Sequence, residues 1–181
     1  SLLGFLERCL YLSSINTHTF SVIVDNKSGV LSRVVGMFAA RGYNIESLTV
    51  AEVDEDKNLS RITVMITGTA MVIEQIKAQL ERIVPVRKVV DLNKEGAFVN
   101  RELVLVKVKA KGERRIESLR IADIFRARVI DSSNQSFVFE LTGTAEKLDA
   151  FIKLMNPLGL VEVSRTGAVA ILRGEKALFK E

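Results

Sequence analysis

The residues best suited to bind a small molecule lie in a turn between a predicted strand and a predicted helix. Asn26, Ser28 and Gly29 form this turn, within the stretch DNKSGVLSRVVGMF. The start of a helix offers unpaired N–H groups and the positive end of its dipole, which attract a phosphate or a carboxylate. Gly29 leaves the backbone open to a ligand, and Ser28 is a good N-cap. The turn therefore predicts either an anion site or an ordinary capped helix.

The residues around the turn favour a carboxylate over a phosphate. The chain contains neither GxxxxGK[ST] nor GxGxxG, and Lys27 lies on the wrong side of the glycine for a P-loop lysine. Asn44 follows the predicted helix at the start of the second strand, and we expect it to lie near Asn26. Two side-chain amides beside free N–H groups suit the carboxylate and ammonium of an amino acid. The alternative is a capped helix with Asn26 in an Asx-turn.

Composition excludes several other kinds of site. The chain has one cysteine, Cys9, and one histidine, His18, so an internal disulfide, a His/Cys zinc site and a Cys/His catalytic pair are excluded. Neither residue has an evident partner in the sequence. The acidic stretch DEDKN lacks the ligand spacing of a calcium loop. Apart from the interrupted N-terminal stretch, no apolar run approaches membrane-spanning length. We therefore expect a soluble protein of the reducing cytoplasm.

One strand and helix pattern occurs twice along the chain. The first half reads as βαββαβ, with Leu31, Val34, Val35 and Phe38 as the apolar stripe of its first helix. From Glu102 the same order follows, with a helix predicted from Ile116 to Phe125. The quartet TGTA occurs at 67–70 and again at 142–145, each time where the third strand of the half gives way to its second helix. This recurrence supports a duplication, and the alternative is chance or convergence on good turn chemistry.

These elements predict an α+β protein of two consecutive βαββαβ ferredoxin-like sandwich domains. The expected division is an N-terminal extension (1–16), a first domain (17–93), a linker (94–100) and a second domain (101–181). Such a sandwich leaves one sheet face uncovered, so we expect oligomerisation. The candidate residues for a partner surface on the strand faces are Ile23, Met65, Val104, Val106 and Val108.

The second half lacks the amide turn of the first and is more basic. At the matching position it reads KAKGERR, with Gly112 but no asparagine, and between Arg101 and Arg128 basic residues outnumber acidic ones. Three interpretations remain: a solvated helical face, a docking surface for an acidic patch on a partner, and a nucleic-acid surface. The net charge of +4, from 26 basic and 22 acidic residues, does not by itself identify a partner.

Longer motifs carry a family resemblance. The stretch DNKSGVLSRVVGMFAARGYNIESLTV resembles the ACT domain, a small-molecule sensing module. Together with LSRITV, RELVLVKV and TGTAEKLDAF, it is similar to the small regulatory subunit of acetohydroxyacid synthase, also called acetolactate synthase. The resemblance extends from about Thr17 to Arg173.

The resemblance implies a regulatory subunit without catalytic residues of its own. Members of the family bind a thiamine-diphosphate-dependent catalytic subunit, raise its activity and make it sensitive to valine or related branched-chain amino acids. Thiamine diphosphate, Mg²⁺ and FAD are expected on that partner, and no cofactor, metal, nucleic acid or membrane on this chain. A homodimer through the first domain is implied. The alternative is an amino-acid-sensing ACT-type transcriptional regulator. The expected effector-binding residues are Asn26, Gly29, Val30, Leu31, Asn44 and Ile45.

Overall fold

The structure, a computed structural model, describes Glu7 and residues 14–178 of the 181-residue chain. The described residues divide into two compact units, one holding those up to Val99 together with 170–178 and the other holding Asn100–Val169. What the sequence predicts for residues 1–13, including Cys9, lies outside the described residues except at Glu7.

The first unit contains a four-stranded antiparallel sheet and two long helices. Its elements are β1 (Ile15–Asp25), α1 (Val30–Arg41), β2 (Ile45–Asp54), β3 (Leu59–Thr69), α2 (Ala70–Glu81) and β4 (Val86–Asp91). The strand order is β2-β3-β1-β4. Since β1 and β2 are both antiparallel to β3, they run parallel to each other. A short helix, α3 (Leu92–Glu95), follows the last strand.

The core of this unit lies between the sheet and the two helices. The sheet contributes Phe20, Val22 and Val24 of β1, each at most 2% exposed. The helices contribute Val30, Val34, Phe38, Ile73, Ile76 and Leu80, which repeat every three or four residues along α1 and α2. The predicted stripe of α1 is half wrong, because Leu31 and Val35 are 42% and 40% exposed.

The second unit repeats the arrangement of the first. Its elements are β5 (Phe98–Lys109), α4 (Glu113–Phe125), β6 (Arg128–Ser132), β7 (Ser136–Gly143), α5 (Ala145–Met155), a 3₁₀ turn (Asn156–Leu158) and β8 (Leu160–Arg165). The strand order is β6-β7-β5-β8, equivalent to that of the first sheet. The predicted fold class, two βαββαβ ferredoxin-like units of α+β type, is confirmed.

The repeated TGTA quartet has the same structural role in both units. The hydroxyl of Thr69 accepts a hydrogen bond from the Val72 N–H at 3.3 Å, and that of Thr144 accepts one from the Lys147 N–H at 3.4 Å. The two threonines have almost the same backbone angles, with φ/ψ of −72°/160° and −71°/161°. Each quartet therefore ends a strand and caps the helix that follows.

The end of the described chain returns to the first unit. A short strand, β9 (Val169–Leu172), lies near the end of the described chain, and residues 170–178 belong to the first unit. This differs from the predicted second domain of 101–181. The predicted linker, 94–100, likewise holds the end of α3 and the first residues of β5 rather than an irregular segment.

This C-terminal segment covers part of the sheet face that was expected to be open. Arg61 and Lys88 both lie beside Ile23 in the strand register, and they donate hydrogen bonds to the carbonyls of Ala170 and Leu178. Ile23 is only 3% exposed as a result. The prediction that Ile23 belongs to a partner surface is therefore wrong.

Three other residues of the predicted partner surface are also buried. Val104, Val106 and Val108 are fully buried in the core of the second unit. The outward face of β5 carries Leu105 and Lys107 instead. Both faces of this strand are rich in apolar residues, so alternation alone did not show which set points to the helices.

A buried carboxylate ties three elements of the second unit together. Glu102, whose side chain is 6% exposed, accepts hydrogen bonds from Arg165 Nη2 at 2.6 Å and Nε at 3.2 Å. The same guanidinium donates through Nη1 to Asp149 at 2.6 Å. Arg165 thus joins the start of β5, the end of β8 and α5. Its removal would leave the Glu102 charge buried without its cation.

We expect Arg165→Met to destabilise the chain strongly. Loss of one partner of a buried ion pair costs about 3 to 5 kcal/mol of unfolding free energy. The matched control is Arg120→Met, which removes an exposed pair with Glu117 and should cost only about 0 to 1 kcal/mol. Urea unfolding at neutral pH measures both, and equal losses for the two variants would contradict the expectation.

Candidate functional site

The turn that follows β1 is held in place by two neighbouring connections of the first unit. The Asp25 N–H donates to the Pro85 carbonyl at 2.9 Å, and the Asn26 N–H donates to the Asn58 carbonyl at 2.8 Å. The Asn58 side-chain amide returns a hydrogen bond to the Asn26 carbonyl at 3.3 Å. These bonds fix where the chain enters α1 and which way the helix start points.

The helix after this turn begins without a side-chain cap. Its N-cap residue is Gly29, with φ +83° and ψ −9°, rather than the predicted Ser28. The left-handed conformation explains the glycine, since other residues adopt it at a cost. The N–H groups of Leu31 and Ser32 make no hydrogen bond to any described residue. They remain available to an anion, which the dipole of α1 would favour.

The space in front of this helix start is open. A Cβ atom built on Gly29 would meet no atom within 4 Å. Val30 is buried in the core, so only its backbone faces the turn, whereas the Leu31 side chain is exposed. The helix start therefore combines free N–H donors with an exposed apolar side chain, as a ligand with a carboxylate and an aliphatic group requires.

Charged side chains surround the turn and neutralise one another. Asp25 accepts a hydrogen bond from Arg87 Nε at 2.7 Å and lies 3.7 Å from the Lys27 ammonium. The Arg87 hydrogen bond holds the pKa of the Asp25 carboxyl below its ordinary value of 3.8. The Asn26 amide donates to Glu52 at 3.2 Å. Glu52 and Arg87 were not predicted as neighbours of the turn, since they come from strands distant in sequence.

Asn44 does not lie near Asn26 within one chain, contrary to the prediction. Asp25 pairs with Leu59 of β3, whereas Ile45 pairs with Ile66 of the same strand. These positions are seven residues apart, which corresponds to roughly 23 Å along a strand. α1 carries the chain back to the opposite end of the sheet before β2 begins.

The environment of Asn44 differs from that of the turn. Its side-chain amide donates to Glu46 at 2.8 Å, in an exposed position just after the end of α1. Ile45 is half-buried against the core of the first unit. Of the six predicted effector residues, four therefore lie at one end of the sheet, and Asn44 and Ile45 lie at the other.

His18, for which the sequence showed no partner, has one in the structure. Its Nδ1 lies 2.8 Å from a carboxylate oxygen of Asp91, which is 3% exposed. Asp91 also accepts a hydrogen bond from the Asn93 N–H at the start of α3. This pair fastens the first strand to the end of the fourth and belongs to the framework of the fold.

The described part of the chain offers neither a metal-binding cluster nor a membrane-spanning helix. Between residues 14 and 178, and at Glu7, no group of three or more His, Cys, Asp or Glu residues could hold a metal ion. Within the same residues no helix is both long and apolar enough to cross a membrane.

Both units match models of the same protein family. A model of the AHAS small subunit-like ACT domain matches residues 20–88, and a model of the small subunit of acetolactate synthase matches residues 101–174. The acetolactate synthase small subunit of Haemophilus influenzae is 48% identical over 160 residues, which cover 88% of this chain and 97% of that protein. The probable small subunit of Archaeoglobus fulgidus is 46% identical, with 88% and 98% covered.

A solved structure agrees with these relatives. The crystal structure of the acetolactate synthase small subunit from Thermotoga maritima superposes with a TM-score of 0.79 at 38% identity, covering 89% of this chain and 99% of that one. The first unit is thus an ACT domain, and the chain is of the regulatory class built on that fold. It belongs to the family of acetolactate synthase small subunits.

Family membership confirms the resemblance read from the sequence. The prediction that the chain is a regulatory subunit rather than an enzyme agrees with it. The assignment of individual effector residues stays a prediction.

We expect Arg87→Gln to raise the pKa of the Asp25 carboxyl toward 3.8, because its strongest hydrogen-bond donor is lost. A folded-state pKa below the unfolded value stabilises the fold above the unfolded pKa, and this contribution disappears as pH falls through the folded pKa. The variant should therefore lose less stability than the parent on acidification below pH 3.8. An NMR titration of the Asp25 carboxyl measures the pKa directly.

Glu74 is the internal control for this titration. Its pKa is also lowered, by a hydrogen bond from Lys94, and this pair does not involve Arg87. The Glu74 midpoint should stay the same in both proteins. An Asp25 midpoint that is unchanged by Arg87→Gln would contradict the expectation.

Proposed function

We propose that this chain binds the thiamine-diphosphate-dependent catalytic subunit of acetolactate synthase, raises its activity and makes it sensitive to feedback by valine. The observation that carries the proposal is the family match, which covers both units and nearly the full length of the relatives. Thiamine diphosphate, Mg²⁺ and FAD would be held by the catalytic subunit, and none of them by this chain. The complex would work in the cytoplasm.

The effector site of this proposal is shared between two copies of the first unit. Asn26 and Asn44 lie roughly 23 Å apart in one chain, by the strand rise along β3. One amino acid cannot contact both at that separation. In a symmetric pair, Asn26 of one copy can face Asn44 of the other, and the symmetry creates two such sites.

The first unit also has a surface through which such a pair could form. β2 is an edge strand of the sheet, and Val50 and Val53 on it are 41% and 47% exposed. An exposed edge with apolar side chains is a common place for a second chain to pair. Unlike the buried Ile23, these residues support the proposed homodimer through the first unit.

Each group of the ligand then has a counterpart. The carboxylate accepts hydrogen bonds from the free N–H groups at the start of α1, where the helix dipole also favours it. The side-chain amides of Asn26 and Asn44 complete the polar shell, and exposed apolar side chains such as Leu31 accept the isopropyl group. Because the ligand bridges two chains, it binds the paired state preferentially and biases how the dimer meets the enzyme.

The alternative, an ACT-type transcriptional regulator, has less support. Such a protein needs a separate DNA-binding unit. The two family models together account for most of residues 20–174, and neither describes a DNA-binding module.

The first expectation concerns the partnership. The purified chain should form no acetolactate from pyruvate by itself, and it should raise the turnover of its cognate catalytic subunit when added. A colorimetric acetolactate assay with and without 1:1 additions measures this. Acetolactate formation by the chain alone, or no effect on the catalytic subunit, would contradict the proposal.

The second expectation concerns the effector residues. Asn26→Ala and Asn44→Ala each remove hydrogen bonds to charged groups worth about 1.5 to 3 kcal/mol, which is roughly a ten- to hundredfold loss of valine affinity. Gly29→Asp should be more severe, because it places a side chain and a like charge at the carboxylate position. Calorimetric titration measures affinity, and valine inhibition of the complex measures feedback.

The matched control is Asn134→Ala, an exposed asparagine in a hairpin of the second unit. It should bind valine like the parent, and all four variants should still activate the catalytic subunit. If the three site variants remain as sensitive to valine as the parent, the turn is only a helix start and the site is elsewhere.

The third expectation tests sharing between chains. In a mixed dimer of one Asn26→Ala chain and one Asn44→Ala chain, one site carries both substitutions and the other carries neither. Mixing the two variants with weakened valine binding should therefore restore one parent-like valine site in each mixed dimer. Calorimetry on the mixed sample measures this, and the absence of any restored site after subunit exchange would show that the two residues do not share a ligand across chains.

A further inference from the structure

The end of helix α4 contains a residue in an unfavourable backbone conformation. Arg126 follows the helix with φ +60°, in the left-handed region. The Arg126 N–H donates to the Asp123 carbonyl at 3.0 Å, and the Ala127 N–H donates to the Ala122 carbonyl at 2.8 Å. This is the usual helix ending in which glycine stands at the left-handed position.

The first unit has the expected residue at the corresponding point. Gly42 ends α1 with φ +63°, and the same two hydrogen bonds run from Gly42 to Ala39 and from Tyr43 to Phe38. The second unit therefore keeps an arginine where its own repeat uses glycine. Strained residues of this kind cluster at functional sites. The conformation of Arg126 therefore points to a function for its side chain.

The Arg126 side chain does little for the second unit itself. It is exposed and makes no ion pair or hydrogen bond with any described residue. Arg128, two residues on, is also exposed and unpaired among the described residues, although Glu140 lies opposite it in the strand register. Their positive charges are therefore not balanced by contacts within the fold.

Exposed isoleucines accompany these two arginines. Ile124 and Ile130 are 71% and 51% exposed. We call the four residues Ile124, Arg126, Arg128 and Ile130 the docking strip. It runs from the last turn of α4 onto β6, the edge strand of the sheet, in which every residue is exposed. Neighbouring backbone groups on such an edge can pair with another chain.

We propose that the docking strip binds an acidic, partly apolar surface of the catalytic subunit. The inference rests on the proposed function, which supplies the partner. The two unpaired guanidinium groups would bind carboxylates of the partner, because arginine donates strong and often bidentate hydrogen bonds to carboxylates. The two exposed isoleucines, which flank the arginines in the strip, would make apolar contacts on either side of those carboxylates. An arginine in the left-handed region is explained if its position serves the complex and not the isolated chain.

A second surface of this unit fits that role less well. A groove of about 490 Å³ beside α4 is lined by Glu113, Arg114, Ile116, Glu117, Arg120 and Leu158. Arg120 pairs with Glu117 at 2.9 Å, so the groove carries charges of both signs that partly cancel. It therefore selects an acidic partner less strongly than the docking strip does.

The deciding variant is Arg126→Gly in the full chain. Glycine removes the side chain and also relieves the left-handed strain. We expect a melting temperature equal to or above that of the parent, unchanged valine affinity, and at least about tenfold weaker binding to the catalytic subunit. This pairing of results separates a docking role from a structural one, which would lower the melting temperature together with binding.

Arg128→Gln and Lys153→Ala complete the experiment. Arg128→Gln removes the neighbouring charge without changing a helix end and should also weaken binding at least about fivefold. Lys153→Ala removes a charge from an exposed position on α5 of the same unit and should bind like the parent. The parent's affinity should fall as salt rises, and that of Arg126→Gly should fall less steeply.

Three results would overturn the inference. If the parent binds and activates the catalytic subunit and both arginine variants bind it equally well, the docking strip is not the contact. If the parent binds duplex DNA and Arg126→Gly abolishes that binding, the strip serves a nucleic acid. If the parent neither binds nor activates the catalytic subunit, the proposed function itself fails and the inference with it.

Discussion

The position of every candidate ligand group in the first unit follows from one constraint, the parallel direction of β1 and β2 on either side of β3. Because two parallel strands enter the sheet from the same end, the helix that joins them must run back along its length. α1 therefore begins at one end of the sheet and finishes at the other. Its open N-terminus and Asn26 are separated from Asn44 by the length of the sheet. An amino-acid site built on both asparagines would therefore need two chains.

Sequence reasoning predicted those parts of the fold that depend on local chemistry. The TGTA quartets were predicted to end strands and begin helices, and both threonines cap their helices with almost the same geometry. The helix, strand and hairpin order of both units also follows from periodicity and turn residues. The same patterns located the turn at Asn26 and Gly29 between a strand and a helix. These features involve residues close together in the chain, so a pattern of a few positions is enough to specify them.

The errors concern contacts between distant residues. Val104 was assigned to the outer face of β5, whose apolar residues occupy both faces, and only the packing of α4 and α5 shows which set is buried. Ile23 was expected to be exposed because nothing near it in the sequence predicts that residues from Ala170 onward return to the first sheet. The separation of Asn26 from Asn44 was missed for a related reason. Both flank the same helix, and the length of that helix carries them to opposite ends of the sheet.

The two units use the same helix ending and helix start with different residues, and the differences suggest a division of roles. The first unit keeps Gly42 at the end of its first helix and places Asn26 before Gly29 at the start, where open N–H groups face solvent. The second has Gly112 at the start without an asparagine before it, and Arg126 at the end, where glycine would fit with less strain. A duplicated fold has equal need of a stable helix ending in both copies. Since only the second copy departs from glycine there, the cost is better explained by a contact made outside the chain than by any requirement of the fold. The helix start of one unit and the helix end of the other would then carry two separate binding functions, one for a small molecule and one for a protein.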